Sequence, residues 1–227
     1  MRLLDPFSEW CGACGKPGIW LCLSCSKKVD LYSPQRCIYC HQPSPFGLTH
    51  TGCLFHTYVD GAISIYYYRG ALLRILKKAK FKGLKNLMSQ LFFSIQPQNL
   101  FSLWDVRRFF SPQYITYIPM IKTDERVRGY NQSQTLARYV SSLMHIPLST
   151  ALIKKKKIDH QSVVALNKRR VNIKNVFSVL QKIPPTHSRI LLIDDVITTG
   201  STVNEAALVL KKNGCNKVFV WSLFRAR

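Results

Sequence analysis

The cysteines constrain the fold of this chain more than any other feature. Seven of the eight lie before residue 54, and with one histidine they form four pairs, the members of each separated by two residues. The pairs are Cys11/Cys14, Cys22/Cys25, Cys37/Cys40 and Cys53/His56. Each pair supplies two ligands to a tetrahedral zinc ion, so four pairs predict two structural zinc sites. Because a segment this short has little apolar core, we expect zinc to supply much of its folding free energy.

The distribution of these ligands between two sites leaves alternatives open. Sequential pairing predicts one site from the first two pairs and a second site from the last two pairs, but the spacing also permits crossed pairing. His41 and His50 are further candidates for the histidine ligand. A disulfide framework is the competing interpretation. An odd number of cysteines in the segment, and an N-terminus without a secretory pattern, disfavour it.

The rest of the chain, residues 58–227, forms the predicted second domain after a cysteine-rich module at 1–57. The predicted helices are 69–82, 131–144 and 202–213, and the predicted strands are 114–119, 190–193 and 217–223. Strands that alternate with helices predict an α/β fold with a mostly parallel sheet. Tyr66, Tyr67 and Tyr68 fit either a partly buried strand or a platform on which nucleic-acid bases stack.

The stretch IDDVITTGST, Ile193–Thr202, is the most unusual segment of the second domain. It follows an apolar run, so Asp194 and Asp195 come at the carboxyl end of a predicted parallel strand, where the ligands of such sheets bind. Next comes a loop rich in hydroxyl groups, made of Thr198, Thr199, Gly200, Ser201 and Thr202. Such a loop at a helix N-terminus suits a phosphate monoester. The aspartates would repel phosphate but accept hydrogen bonds from a sugar diol, so the pattern predicts a ribose 5-phosphate ligand.

Longer segments resemble a known family. ILLIDDVITTGSTV resembles the phosphoribosyl pyrophosphate signature of type I phosphoribosyltransferases. With KFKGLKN at 80–86, IPMIKTDERVRGYNQ at 118–132, HQSVVALNKRRVNIKNVF at 160–177 and the cysteine module, the chain is similar to the ComF family, which is associated with uptake of transforming DNA. This resemblance implies a type I phosphoribosyltransferase-like sheet with helices on both faces, preceded by a small zinc ribbon. Two positions depart from it, since His56 replaces a usual cysteine and Tyr117 a usual proline.

The resemblance also implies roles for the residues of the stretch. Asp194 and Asp195 would hold the ribose hydroxyls of phosphoribosyl pyrophosphate, and residues 198–202 its 5-phosphate. Transfer of the phosphoribosyl group needs cations on the departing pyrophosphate, which Mg²⁺ and basic side chains supply. The candidates are Lys122, Arg126 and Arg128, for which a solvated basic turn is the alternative.

Other polar residues in the similar segments have less certain roles. Asn131 and Gln132 belong to the same segment and fit a helix cap equally well. Four more polar residues fit either a mobile flap over the site or a solvated loop, namely Gln161, Arg169, Arg170 and Asn172.

The charge of the chain supports two functional hypotheses. The net charge is +22, with five basic and four acidic groups in residues 1–60 against twenty-eight and seven in the rest. So large an excess attracts polyanions. The first hypothesis is a phosphoribosyltransferase, a glycosyltransferase whose acceptor is unknown. The second is a non-catalytic competence protein that binds single-stranded DNA through lysine and arginine clusters at 77–78, 154–157 and 168–170.

Both hypotheses share the same expectations about partners and location. DNA-uptake machinery proteins are expected partners in either case. No apolar run reaches the roughly 18 residues of a membrane span. We therefore expect a soluble cytoplasmic protein.

Overall fold

A four-stranded parallel sheet forms the centre of the structure. The structure is a computed structural model, and it describes residues 10–18, 21–81, 101–150, 152–154, 176–179 and 188–226. The strands are β1 Gly61–Tyr67, β2 Tyr114–Tyr117, β3 Leu152–Lys154, β4 Phe177–Val179, β5 Arg189–Ile197 and β6 Lys217–Arg225. The helices are α1 Leu23–Ser26, α2 Gly70–Phe81, α3 Phe101–Asp105, α4 Lys122–Arg128, α5 Gln132–Met144 and α6 Ser201–Lys212. The sheet order is β1-β6-β5-β2, and β3 and β4 form a separate antiparallel pair.

The two central strands, β5 and β6, are apolar because both of their faces are covered. Ile190 to Ile193 are all but inaccessible to solvent, and they pair in parallel register with Val218 to Trp221. A continuous apolar run of this kind is typical of a parallel strand packed between two layers of helices. β5 extends four residues beyond the predicted strand, so Asp194 and Asp195 belong to the carboxyl-terminal part of the strand and do not follow it.

Two apolar clusters lie on opposite faces of the sheet. One contains the buried residues of α2 and α5 with Leu191 and Ile193 of β5. The other contains the buried residues of α6 with Ile190 and Leu192 of the same strand. Because neighbouring strand residues point to opposite faces, this division puts helices on both faces. The predicted fold class is therefore confirmed as a mostly parallel α/β sheet with helices on both faces, next to a cysteine-rich module.

The cysteine-rich module lies along the free edge of β1. The Tyr32 N–H donates to the carbonyl oxygen of Ile65 at 2.7 Å. The side-chain amide of Gln35 imitates a strand residue, since its Nε2 donates to the Ser64 carbonyl at 2.8 Å and its Oε1 accepts from the Ser64 N–H at 3.1 Å. These bonds satisfy backbone groups that β1, as an edge strand, would otherwise leave without a strand partner.

Asp60 joins the module to the sheet. Its carboxylate is buried and accepts from the Val218 N–H at 2.8 Å, while its backbone oxygen accepts from the Thr49 N–H at 2.9 Å. The ammonium groups of Lys211 and Lys217 complete the pairing at 2.8 and 3.0 Å. A buried carboxylate needs such partners, because an unpaired charge in the interior is strongly destabilising. The boundary between the module and the second domain, at 57–58, stays a prediction.

The helices predicted at 69–82, 131–144 and 202–213 correspond to α2, α5 and α6 within two residues at each end. The basic segment after β2, for which a solvated turn was the alternative interpretation, forms the seven-residue helix α4, followed by Gly129 in the left-handed conformation. Two of the three consecutive tyrosines pack within the protein, since Tyr66 of β1 and Tyr68 after it contact Phe224. Among the described ranges, every helix is too short or too polar to span a bilayer.

Gly47 tests the contact between the module and β1. Its φ is +67°, and a Cβ at this position would overlap the carbonyl oxygen of Ala62 in β1. We expect Gly47→Ala to lower the free energy of unfolding by more than about 2 kcal/mol, because the backbone would have to leave β1 to relieve the overlap. Urea denaturation measures the change.

Gly52→Ala is the matched control. Gly52 lies in the same module, and a Cβ there has nothing within 4 Å. Equal stabilities for the two variants would contradict the placement of Gly47 against β1.

Candidate functional site

The first cysteine cluster brings together the ligands of the first two predicted pairs. The sulfur atoms of Cys11, Cys14, Cys22 and Cys25 lie within 4.8 Å of one another. The Cys14 and Cys22 sulfurs are 3.7 Å apart. A tetrahedral zinc ion with Zn–S bonds of about 2.3 Å needs sulfur atoms roughly 3.8 Å apart, so the set fits zinc. All eight cysteines are free thiols, and the disulfide framework is therefore wrong.

The second cluster differs from the prediction in its histidine. Cys37, Cys40 and Cys53 lie within ligand distance of His50, and the sequential pairing of the cysteines is observed. The distance from Cys40 Sγ to His50 Nδ1 is 3.3 Å. His56 was the predicted ligand, but its ring stacks on Tyr39 at 5.0 Å instead.

Backbone geometry explains why His50 takes this position. A short 3₁₀ turn at Thr51–Cys53 folds the chain back, and the Cys53 N–H donates to the His50 carbonyl at 2.8 Å. The turn thus brings His50 and Cys53 to one side, as a knuckle of two-residue spacing does for two cysteines. The corrected second set is Cys37, Cys40, His50 and Cys53.

The thiols of each cluster hold their protons unequally. Burial raises the pKa of Cys11, but backbone hydrogen bonds, led by that from Cys22, bring it down to about 6 overall. Burial and hydrogen bonds among the neighbouring sulfurs raise the pKa of Cys25 to about 12. Burial and the sulfurs of Cys40 and Cys37 likewise raise the pKa of Cys53 to about 11. Zinc binds thiolates, so its binding to either cluster releases the retained protons.

Arg225, at the end of β6, is a cation beside the second cluster. It is 1% exposed, and its guanidinium lies over the Tyr32 ring at 5.6 Å. Burial lowers the pKa of Arg225, while Tyr32 and Cys37 raise it. Three thiolates around one zinc ion carry a net negative charge, which a neighbouring guanidinium balances. No spacing pattern in the sequence indicates this electrostatic interaction.

The two aspartates of β5 lie at the carboxyl end of the sheet, nearly buried. Asp194 and Asp195 are 7% and 9% exposed. Asp194 Oδ1 accepts hydrogen bonds from Ser133 Oγ and from the Asp195 N–H, both at 2.9 Å. Ser133 is in the first turn of α5, where Asn131 Oδ1 accepts from the Ser133 N–H at 3.0 Å. The cap formed by Asn131 therefore fixes the serine that orients the carboxylate.

The loop after β5 leads into the N-terminus of α6 through a glycine with positive φ. Gly200 has a φ of +81° and precedes α6 without a side-chain cap of its own. Thr198 and Thr199 are exposed, while Ser201 and Thr202 are half-buried. Thr199 Oγ1 and Ser201 Oγ are 3.0 Å apart. The loop thus presents hydroxyls and the positive end of a twelve-residue helix to the same space.

The predicted pyrophosphate residues lie on α4. Lys122 and Arg126 line one cleft with Glu125 and Gly129. Arg128 instead interacts with Lys154 of β3. Burial lowers the pKa of Lys154, and the nearby carboxylates of Asp124 and Asp194 act in the opposite direction. Lys154 thus interacts electrostatically with Asp194, and its predicted role in a DNA-binding cluster stays a prediction.

Tyr117, at the end of β2, replaces the proline that the resemblance leads one to expect. Its hydroxyl accepts a hydrogen bond from Gln134 Nε2 at 2.9 Å, and burial raises its pKa. This bond ties the end of β2 to the same helix, α5, that carries Ser133. Several other predicted positions lie outside the described residues, namely 155–157, 161, 168–170 and 172, with most of the segments 80–86 and 160–177.

Comparison with known proteins gives the family. Competence protein F of Haemophilus influenzae is 30% identical over 217 residues, which cover 91% of this chain and 90% of that protein. The chain belongs to the ComF family. Competence protein ComFC of Bacillus subtilis is 25% identical to this ComF chain over 213 residues, 88% of the chain and 81% of that protein. DNA utilization protein YhgH of Escherichia coli K12 is 34% identical over 115 residues, 50% of each.

Two further comparisons concern family models and solved structures. No protein-family model matches the ComF chain. A purine phosphoribosyltransferase from Pyrococcus horikoshii superposes with a TM-score of 0.35 and 17% identity, over 56% of this chain and 80% of that one.

The two histidines provide a test of the second metal centre. We expect His50→Ala to reduce the zinc content from two ions per chain to one, because the site keeps three ligands and loses its fourth. His56→Ala is the matched control and should keep two, since His56 contacts Tyr39 and not the cluster. Elemental analysis of protein purified without chelator gives the count. Loss of zinc from the His56 variant alone would restore the original prediction.

Proposed function

We propose that this ComF protein binds phosphoribosyl pyrophosphate at the carboxyl end of β5. The observation that carries the proposal is the juxtaposition of two nearly buried carboxylates with a hydroxyl-rich loop at the start of α6. Asp194 and Asp195 accept hydrogen bonds from the ribose 2′- and 3′-hydroxyls. Residues 198–202 bind the 5-phosphate through their hydroxyls and the N–H groups of the helix start.

Basic groups on α4 and β3 suit the pyrophosphate. Lys122 and Arg126 share a cleft on α4, and Lys154 of β3 interacts electrostatically with Asp194. Mg²⁺ bound with the ligand would add positive charge where the pyrophosphate leaves. Lys122, Arg126 and Arg128 stabilise the charge that develops on the leaving group, which lowers the barrier to phosphoribosyl transfer. The acceptor of the transferred group is not specified by any described side chain.

The relatives support a role for the protein in the handling of transforming DNA. Two of them are named as competence proteins and a third as a DNA utilization protein. We assign the same role to this chain, in the cytoplasm, in contact with the DNA-uptake machinery.

Binding of single-stranded DNA is the second candidate function, and the charge distribution favours it. Residues 61–227 carry twenty-eight basic and seven acidic groups, whereas residues 1–60 are close to neutral. The positive charge of the second domain therefore attracts a polyanion such as single-stranded DNA.

Removal of the two carboxylate charges tests the ligand site. In the double variant Asp194→Asn and Asp195→Asn, we expect the affinity for phosphoribosyl pyrophosphate with Mg²⁺ to fall at least about tenfold, because charge-assisted bonds to the diol become neutral ones. The fold should persist, since an asparagine oxygen can still accept from Ser133. Gly200→Val should reduce binding further, because its φ is +81° and a side chain there meets Ile38. Titration calorimetry and the thermal shift caused by the ligand measure both effects.

Asp30→Asn is the control for this experiment. Asp30 is exposed and pairs with Arg69, away from β5. The control should bind like the wild type. A wild type that gives no heat and no thermal shift, or an asparagine pair that binds equally well, would refute the proposal.

The salt dependence of DNA binding tests the second function. For single strands, log K falls with log salt by about 0.7 per phosphate neutralised. Replacement of Lys155, Lys156 and Lys157 by alanine removes three charges and should reduce this slope by about 2 without a change in sequence preference. Lys154 is left in place because it interacts electrostatically with Asp194. Fluorescence anisotropy at several salt concentrations gives the slope.

Three lysines of the cysteine-rich module serve as the control for the DNA experiment. Lys16, Lys27 and Lys28 are exposed, and their replacement by alanine removes the same charge. An equal loss of slope in both triple variants would mean that binding follows net charge and not the second domain.

A further inference from the structure

The second cysteine cluster contacts the loop at 198–202, which is called the phosphate loop below because it is the proposed binding site of the 5-phosphate. Ile38 lies between Cys37 and Cys40, and its side chain packs against Gly200. A Cβ built on Gly200 would be 3.3 Å from Ile38 Cγ1 and 3.5 Å from its Cδ1. Ile38 is 5% exposed and shares an apolar cluster with Ile197 and Val203, the residues on either side of the loop. The Cys37–Cys40 knuckle is therefore a wall of the candidate ligand site.

The other half of the same cluster holds the first turn of α6. Asn204 Oδ1 accepts from Thr57 Oγ1 and from the Tyr58 N–H, both at 2.7 Å. Thr57 and Tyr58 follow the His50–Cys53 turn by only a few residues. Through these bonds the chain that leaves the second cluster fixes the start of the helix whose N-terminus faces the phosphate.

We propose that the second metal centre positions the phosphate loop, with Ile38 and Asn204 as the positioning residues. This inference rests on the proposed function. One arm of the centre is Cys37–Cys40, whose Ile38 packs against Gly200. The other arm is His50–Cys53, and the chain that follows it donates two hydrogen bonds to Asn204, from Thr57 and Tyr58. A zinc ion bonded to both arms fixes their separation and thereby fixes the loop between its two supports. Zinc–ligand bonds would join the arms more firmly than the described ring stack of Tyr39 on His56, which follows the second arm.

The first cluster lacks this connection, which makes it an internal reference. Cys11 and Cys25 pack into the apolar cluster on the opposite face of the sheet, with α2 and α5. Leu23 occupies the same position in its knuckle as Ile38 does in the second, directly after the first cysteine. It is 69% exposed and so packs against neither face. We therefore expect loss of the second metal centre, but not of the first, to weaken ligand binding.

A positioning role implies reciprocity. If zinc in the second centre raises the affinity for the ligand, the ligand must raise the affinity for that zinc by the same factor. A contribution to stability alone would give no such coupling, because loss of zinc would then weaken the protein without ligand dependence.

The first experiment compares Ile38→Ala with Leu23→Ala. Both variants should keep two zinc ions, because neither loses a ligand. We expect Ile38→Ala to weaken the binding of phosphoribosyl pyrophosphate about tenfold, within the usual range for coupled sites, and Leu23→Ala to bind like the wild type. Titration calorimetry with parallel elemental analysis is the readout. Equal affinities in the two variants would overturn the inference.

The second experiment measures the equilibrium distribution of zinc between the protein and a chromogenic chelator, with and without phosphoribosyl pyrophosphate. The ligand should raise the affinity for one of the two ions about tenfold, and Cys40→Ser should remove this effect while Cys14→Ser keeps it. An affinity that the ligand leaves unchanged, or an effect that persists in Cys40→Ser, would refute the coupling.

A ligand-free readout separates failure of this inference from failure of the proposed function. The amide resonances of Thr199 and Gly200 should shift in Cys40→Ser and stay in place in Cys14→Ser, whatever the ligand is. If the wild type binds no phosphoribosyl pyrophosphate but the resonances shift as expected, the proposed function is wrong and the positioning role stands. Unchanged resonances would refute the positioning role.

Discussion

The parallel pairing of β5 between β6 and β2 determines where everything else in this protein lies. Because β5 is central, its apolar residues are covered on both faces, and the chain can turn polar only at the strand's carboxyl end. The two aspartates occur there, next to the N-terminus of α5 on one side and the loop to α6 on the other. β6 carries Arg225 to the same edge of the sheet, and the cysteine-rich module meets it there. One sheet edge thus collects the acidic, hydroxyl and basic groups.

Local patterns predicted most of this arrangement, and contacts between distant segments account for what they missed. The run Ile190–Ile193 and the glycine at 200 have local meanings, burial on both faces and positive φ, and both are observed. The sulfur ligands also follow from spacing alone. The choice of His50 over His56 depends on a 3₁₀ turn and on a stacking partner, Tyr39, supplied by another part of the module.

The surroundings of Lys154 could not be predicted from the sequence for a similar reason. In the sequence it is the first of four consecutive lysines, a run that predicts a DNA-binding cluster, and that role stays a prediction. In the fold, burial lowers the pKa of Lys154, while the carboxylates of Asp124 and Asp194 act in the opposite direction. Ser133 was missed because a single serine beside a helix cap carries no signal until the cap aims it at a carboxylate. Such pairings, 61 residues apart for Ser133 and Asp194, are a property of the topology.

The hydrogen bonds of the Gln35 amide bear on the evolution of the chain as well as on its fold. It pairs with Ser64 as a neighbouring strand would, and with the backbone of Tyr32 it covers part of the open edge of β1. A second domain expressed without residues 1–57 would present that backbone to any extended peptide, including another copy of itself. The module therefore covers a strand edge that would otherwise be open to pairing. Coverage of this edge would favour retention of the metal-binding module even in related proteins that had lost the ligand-binding residues at the end of β5.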